Sequence, residues 1–168
     1  MPTPDPILKK YADLIQAKTG NRYKGVYFGD PVRIPVSMLP ALIVAKKGTL
    51  TSPFSNTEDV HKITLVFTVV TDVRADFSDD TAMVPGNATL YDLMEGRDPT
   101  TLQLKATSLL AILRNNVNID QPHQVWTDID TPTRIDYGLV MNKRAQPSWS
   151  IEGALTTVAS IVQPRSAV

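Results

Sequence analysis

Between His61 and Val73 the chain reads His-Lys-Ile-Thr-Leu-Val-Phe-Thr-Val-Val-Thr-Asp-Val, and this run constrains the fold more than any other. β-Branched residues dominate it, and their side chains suit a pleated surface better than a helix. Successive side chains of an extended chain point to opposite faces. Ile63, Leu65, Phe67, Val69 and Val73 therefore share one face, while Lys62, Thr64, Thr68 and Asp72 lie on the other with Val66 and Val70. The alternation predicts a long central strand whose odd-numbered side enters the core.

The stretch Gly29-Asp-Pro-Val-Arg-Ile-Pro-Val-Ser-Met-Leu-Pro-Ala-Leu-Ile-Val-Ala-Lys-Lys-Gly48 is apolar enough for strands but carries Pro31, Pro35 and Pro40 at near-regular intervals. Proline fixes φ and has no N–H for a ladder, so it belongs at strand starts, bends and edges. Gly29 to Gly48 is therefore expected as a prolyl strand pair at a sheet edge that bends, and Tyr23 to Phe28 and Val32 to Ala45 as short, bent strands. Gly48 to Asp59 is polar and rich in turn residues, and predicts an exposed, flexible loop. Arg74 to Asn87, with Asp76, Asp79, Asp80 and Pro85-Gly86, predicts a second one.

Asp5-Pro6 has the form of an N-cap followed by proline at the first helical position. Ile7, Leu8, Tyr11, Leu14 and Ile15 follow at helical spacing, and Gly20-Asn21 supplies a stop. Thr89 to Glu95 predicts a short helix ended by Gly96. Asp98-Pro99 repeats the cap-and-proline signal, and Leu102, Ala106, Leu109, Leu110 and Leu113 place a second main helix behind it as far as Asn115-Asn116. Val117 to Thr133 is punctuated by proline and predicts loop with a short extended piece. Arg134 to Met141 and Ser150 to Val162 predict two strands joined by the basic turn 142–147, the last strand ended by Pro164. The order gives a single α+β domain over residues 1–168, with a mostly antiparallel sheet and two main helices packed on one face.

Composition narrows the function. A length of 168 residues suits one domain with a core. Lys plus Arg equals Asp plus Glu, so the formal net charge is zero and the chain has no global electrostatic footprint for DNA. Little self-repulsion suits a subunit that associates. With no cysteine there is neither a disulfide framework nor a thiolate metal site. The start, Met1-Pro-Thr-Pro-Asp-Pro6, lacks the basic and apolar regions of a signal peptide. The apolar runs fall short of a membrane span. A soluble intracellular protein is the expectation.

No catalytic constellation is recognisable. His61 and His123, the only histidines, are distant in sequence from the carboxylates that would orient them. His61 at the head of a strand reads as a surface residue. Asp76, Asp79 and Asp80 offer oxygen ligands to a hard cation, but the glycine and closing glutamate of an EF-hand loop are missing. Lys46-Lys47 and Lys143-Arg144 are small basic turns without the interleaved aromatics of a stacking surface, and read as solvated hairpin tips. No phosphate-binding glycine pattern occurs. No cofactor and no metal is therefore expected. Phe54, Arg144 and Trp149 are candidate interface positions by residue type and placement, tryptophan and arginine being enriched among interface anchors.

Four features together resemble the tail terminator, or tail-to-head joining, proteins of long-tailed bacteriophages. They are the amphipathic helix Ile7 to Lys18 with a glycine-bearing turn, and the segment Gly29-Asp-Pro-Val-Arg-Ile-Pro-Val…Leu39-Pro-Ala-Leu-Ile-Val44. The others are the strand Lys62 to Val73, and Met94-Glu-Gly-Arg-Asp98 leading into a Leu-rich helix with a long strand after it. The resemblance covers most of the chain as an order of elements, with no counterpart for residues 76–86 or 117–133. It implies a non-enzymatic virion protein, assembled in the host cytoplasm as a homo-oligomeric ring of six copies. The ring would cap the tail tube and meet the neck or head-completion proteins, with DNA passing through without specific binding and no membrane contact. Three other readings remain open from the residues. One is a different neck or head-completion protein, another a cytosolic module that accepts a peptide strand at a sheet edge. The third is a metal-dependent hydrolase using Asp76, Asp79, Asp80 and a histidine.

Overall fold

A computed structural model of the chain describes residues 3–73, 88–142, 144–145 and 149–165. Helix α1 (Pro6–Thr19) forms where the capping signals place it: the backbone N–H groups of Ile7 and Leu8 donate to the Asp5 carboxylate at 2.9 and 3.3 Å. Gly20 closes it in the left-handed region at φ 64°, where a Cβ would be strained. Its apolar stripe buries Leu8, Tyr11, Ala12 and Ile15.

The strands are β1 (Gly25–Phe28), β2 (Ala41–Pro53), β3 (Glu58–Asp72), β4 (Asn118–Asp120), β5 (Val125–Thr127), β6 (Arg134–Asn142) and β7 (Ser150–Pro164). They form one sheet in the order β1-β2-β3-β7-β5-β4, with β6 also paired to β7. The β1–β2 pair is parallel and the others antiparallel, so the sheet is mixed. β3 is the central strand its alternation predicts. It is paired along its whole length with β7, from Glu58↔Pro164 to Asp72↔Ser150, without a register shift.

Helix α2 (Ala88–Glu95) and helix α3 (Leu109–Asn115) join α1 on one face of the sheet. Leu90, Leu93 and Met94 from α2 and Leu109, Ile112 and Leu113 from α3 pack with Leu42, Val44, Leu65, Phe67, Val69 and Leu155 in the main core. Tyr11 and Phe67 meet at a ring separation of 5.5 Å, and the Tyr11 hydroxyl shares a 2.8 Å hydrogen bond with Thr127 Oγ1. Burial pushes the Tyr11 phenol up to about 12, the Thr127 bond acting in the opposite sense. The opposite face carries a smaller core of Ile34, Leu39, Ala41, Ile43, Val70 and Ala145. The α+β class and the helices on one face stand as expected.

Three local expectations are corrected. The expected strand Tyr23 to Phe28 forms as the edge strand β1 and pairs with residues 41–44, but the prolyl stretch before them is not strand. β2 begins only at Ala41, the Leu39–Pro40 bond is cis, and Val36–Met38 makes one 3₁₀ turn. Residues 30–40 instead cross the face opposite the helices, where Ile34 and Leu39 cap the smaller core. Prolines suit such a cover because it needs few ladder hydrogen bonds. The second main helix does not start at Asp98-Pro99. Asp98 caps a tight turn, accepting from Thr100 and Thr101 at 2.8 Å each, and Leu102 follows at φ 60°, which ends helical winding. The helix starts ten residues later, with Ser108 accepting from Ala111, and is only seven residues long. Finally, most of Gly48 to Asp59 is strand, with only residues 54–57 left as a turn. The second expected loop, Arg74 to Asn87, lies outside the described residues.

Candidate assembly surface

Strand β2 has two halves. Residues 41–44 are buried, lie between β1 and β3, and alternate between the two cores. Residues 46–53 are exposed on both sides, and among the described residues only β3 pairs with them. The transition is marked by a register shift between Lys46 and Gly48, the signature of a β-bulge. Beyond it β2, β3 and the end of β7 form an arm whose outer edge has no strand partner among the described residues and so offers backbone groups for pairing. Leu50 is 78% exposed on this edge strand and Phe54, at the turn, 60%.

The arm's turn is held by Arg165. Its Nε donates to Asp59 Oδ1 at 2.8 Å, and its Nη1 and Nη2 reach the carbonyls of Asn56 and Ser55 at 3.3 Å each. The Arg165 N–H also donates to the Thr57 carbonyl. Five donors on a rigid guanidinium suit a residue that must hold several loop acceptors at once. No sequence signal pointed to this role, since Arg165 follows the terminating Pro164 and lies far along the chain from the turn.

At the base of the arm, where β1 ends, lies an open groove of about 800 Å³. Leu8 and the β1 residues Val26 and Phe28 supply its apolar wall, and Pro4, Ala45 and Lys46 border it. The Lys46 ammonium pairs with the Asp5 carboxylate that caps α1. Burial works to raise the Asp5 carboxyl, but Lys46 and the Leu8 and Ile7 N–H groups hold it below the ordinary carboxylate value. Lys46 is therefore a structural tie and not a solvated hairpin tip as expected. Lys47, beside it in the bulge, is exposed.

A second cleft, of about 400 Å³, separates the start of α1 from the β4–β5 hairpin and the end of β7. Pro6, Ile7, Val125 and Ile161 line it beside Lys10, Asp120 and His123. The Asp120 carboxylate is shielded, its side chain 8% exposed, and is paired with Lys10 Nζ at 2.7 Å and His123 Nδ1 at 2.8 Å. Those two contacts, Lys10 first, bring its carboxyl down to about 2. His61 is elsewhere on the ladder, opposite Thr51, with its Nδ1 2.7 Å from the Thr51 hydroxyl. The histidines thus serve separate local contacts, and His123 is held by a carboxylate only three residues away, against the expectation that no orienting carboxylate lay near in sequence. Among the described residues no three His, Asp or Glu side chains converge as metal ligands. Asp76, Asp79 and Asp80 lie outside those residues.

The three candidate interface positions do not form one surface. Phe54 sits at the tip of the arm and Trp149 at the other end of the sheet, where its carbonyl accepts from the Val73 N–H and its side chain is 44% exposed. The fifteen residues of β3 between these ends span about 50 Å at roughly 3.3 Å each. Arg144 is turned inward. Its guanidinium pairs with Glu152 on β7 and with Asp30, and donates to the Pro31 carbonyl. Burial opposes its charge, and the two carboxylates more than offset that. Arg144 therefore ties the prolyl cover to the sheet, beside Ala145 in the smaller core.

Among the described residues no helix is long and apolar enough to cross a membrane. No protein-family model matches the chain, and no curated protein matches its sequence.

Proposed function

We propose that this chain is a non-enzymatic virion protein, a tail terminator that assembles with copies of itself into a ring of six on the end of a phage tail tube. The arm carries the proposal. A preformed three-stranded finger with an unpaired edge and exposed Leu50 and Phe54 is suited to directional contact with another chain, because edge backbone groups give register and apolar side chains give affinity. Contacts of that kind between unlike surfaces of neighbouring copies close a ring when the rotation per copy divides the circle. The ring would halt tube growth on one face and receive neck or head-completion proteins on the other. Its zero net charge suits a channel past which DNA slides without fixed phosphate contacts.

Light scattering of the purified protein, paired with negative-stain imaging with and without tail tubes, tests this reading. Closed rings, or caps confined to tube ends, are expected. A monomer at all concentrations that leaves tube ends bare overturns it. The same unpaired edge favours a second reading, a module that accepts an extended peptide strand. That reading expects a monomer, with chemical-shift changes along residues 46–53 when short β-forming peptides are added.

A further inference from the structure

The arm has an apolar knob at its tip and an apolar groove at its base, and the two cannot meet within one molecule. Phe54 is separated from the groove by the strand residues 46–53, which span about 25 Å when extended. Those residues are fixed in the ladder with β3, and Arg165 ties the turn to the end of β7. We infer that the tip of one copy docks in the groove of a second copy, placing Phe54 against Phe28, Val26 and Leu8. This rests on the self-association in the reading above and specifies its geometry.

Charge selects a second copy as the occupant. Next to Phe54, Glu58 carries a carboxylate whose only hydrogen bond from a side chain among the described residues is a 3.5 Å contact from the Ser55 hydroxyl. No ion pair forms at Glu58 among the described residues. Beside the groove, Lys47 is exposed on the bulge and likewise lacks an ion pair among them. Lys46 with Asp5 at the groove, and Arg165 with Asp59 at the knob, are already paired. The charges left over are Glu58 beside the knob and Lys47, one residue along from the groove's border, and these are complementary between copies. Opposed charges at such a rim govern encounter and register more than affinity. The contact joins unlike surfaces, so each copy both gives a tip and receives one. Such a head-to-tail contact builds a ring or an open chain, whereas tip-to-tip pairing stops at a dimer.

The natural lack of cysteine makes the test clean. Phe54→Cys protein mixed with Phe28→Cys protein under mild oxidation should yield a disulfide-linked 54–28 species by mass spectrometry, absent from either protein alone. Charge variants provide a test without change to the apolar residues. Lys47→Glu and Glu58→Lys should each weaken self-association about five- to tenfold, and the two together should restore most of it. Unchanged oligomer mass with neither a 54–28 link nor a charge effect overturns the docking while leaving the ring reading standing. Links formed only between two copies of the Phe54→Cys protein overturn it in favour of tip-to-tip contact. A wild-type chain that stays monomeric at the highest attainable concentration overturns the docking and the self-association beneath it together.

Discussion

The first four residues of β2 and its last eight are one strand in two environments. Residues 41–44 have a core on either side and neighbours on both edges, while residues 46–53 have, among the described residues, one neighbouring strand and are exposed. The first half is held by what its side chains bury. The second is held by backbone pairing and by Arg165, which grips the turn. A substitution in the first half should therefore be felt as lost stability, and one in the second, under the proposed docking, as weakened contact with a second copy.

The sharpest way to break that contrast is to damage the shared core. Phe67→Ala, beneath Tyr11, should cost about 3–5 kcal/mol in urea unfolding, because a large side chain leaves a cavity that the surroundings fill only in part. Arg144→Met should cost about 1–2 kcal/mol, leaving Glu152 and Asp30 without their shared cation at a half-buried site. Asp5→Ala removes the N-cap of α1 and should cost about 1 kcal/mol, read from the same unfolding curves. On the arm, Leu50→Ser and Phe54→Ser should shift unfolding by less than about 0.5 kcal/mol. Their effect should appear in sedimentation velocity, as weaker self-association. A loss of several kcal/mol from either would show that the arm tip belongs to the core after all.

The smallest effect concerns acid. The Asp120 carboxyl lies at about 2 in the folded chain, below its ordinary 3.8. A lowered folded value means stability that is fully present above the ordinary value and is lost as pH falls toward the folded one. Asp120→Asn should therefore be less stable than wild type above about pH 4, with the gap closing between about pH 4 and 2. Urea unfolding across that range checks the sign.

The buried half of the molecule was legible in the sequence because burial writes a pattern. Ile63 to Val69 alternate since one side meets the helices, and Asp5-Pro6 with Gly20 mark a helix whose inner stripe is apolar. The arm writes no such pattern. With solvent on both faces, Gly48 to Pro53 has no reason to alternate, and its threonines and serine are indistinguishable from loop. Asp98 misled in another way: the same side chain that caps a helix can cap a single turn, and only Leu102 at φ 60° decides between them. Phe54, an aromatic residue within a polar, turn-rich stretch, lies at the exposed tip. The groove it is proposed to fill was not legible, because Leu8, Val26 and Phe28 come together only when β1 pairs beside α1.

The uninterrupted β3–β7 ladder also has a mechanical meaning. From Glu58↔Pro164 to Asp72↔Ser150 its hydrogen bonds lie across the strand direction with no bulge between them. A pull on the arm tip along the strands would load those bonds together, in shear, instead of peeling them one at a time. The sheet would then act as a tie rod, carrying tension from the tip through the core to the end where Trp149 stands.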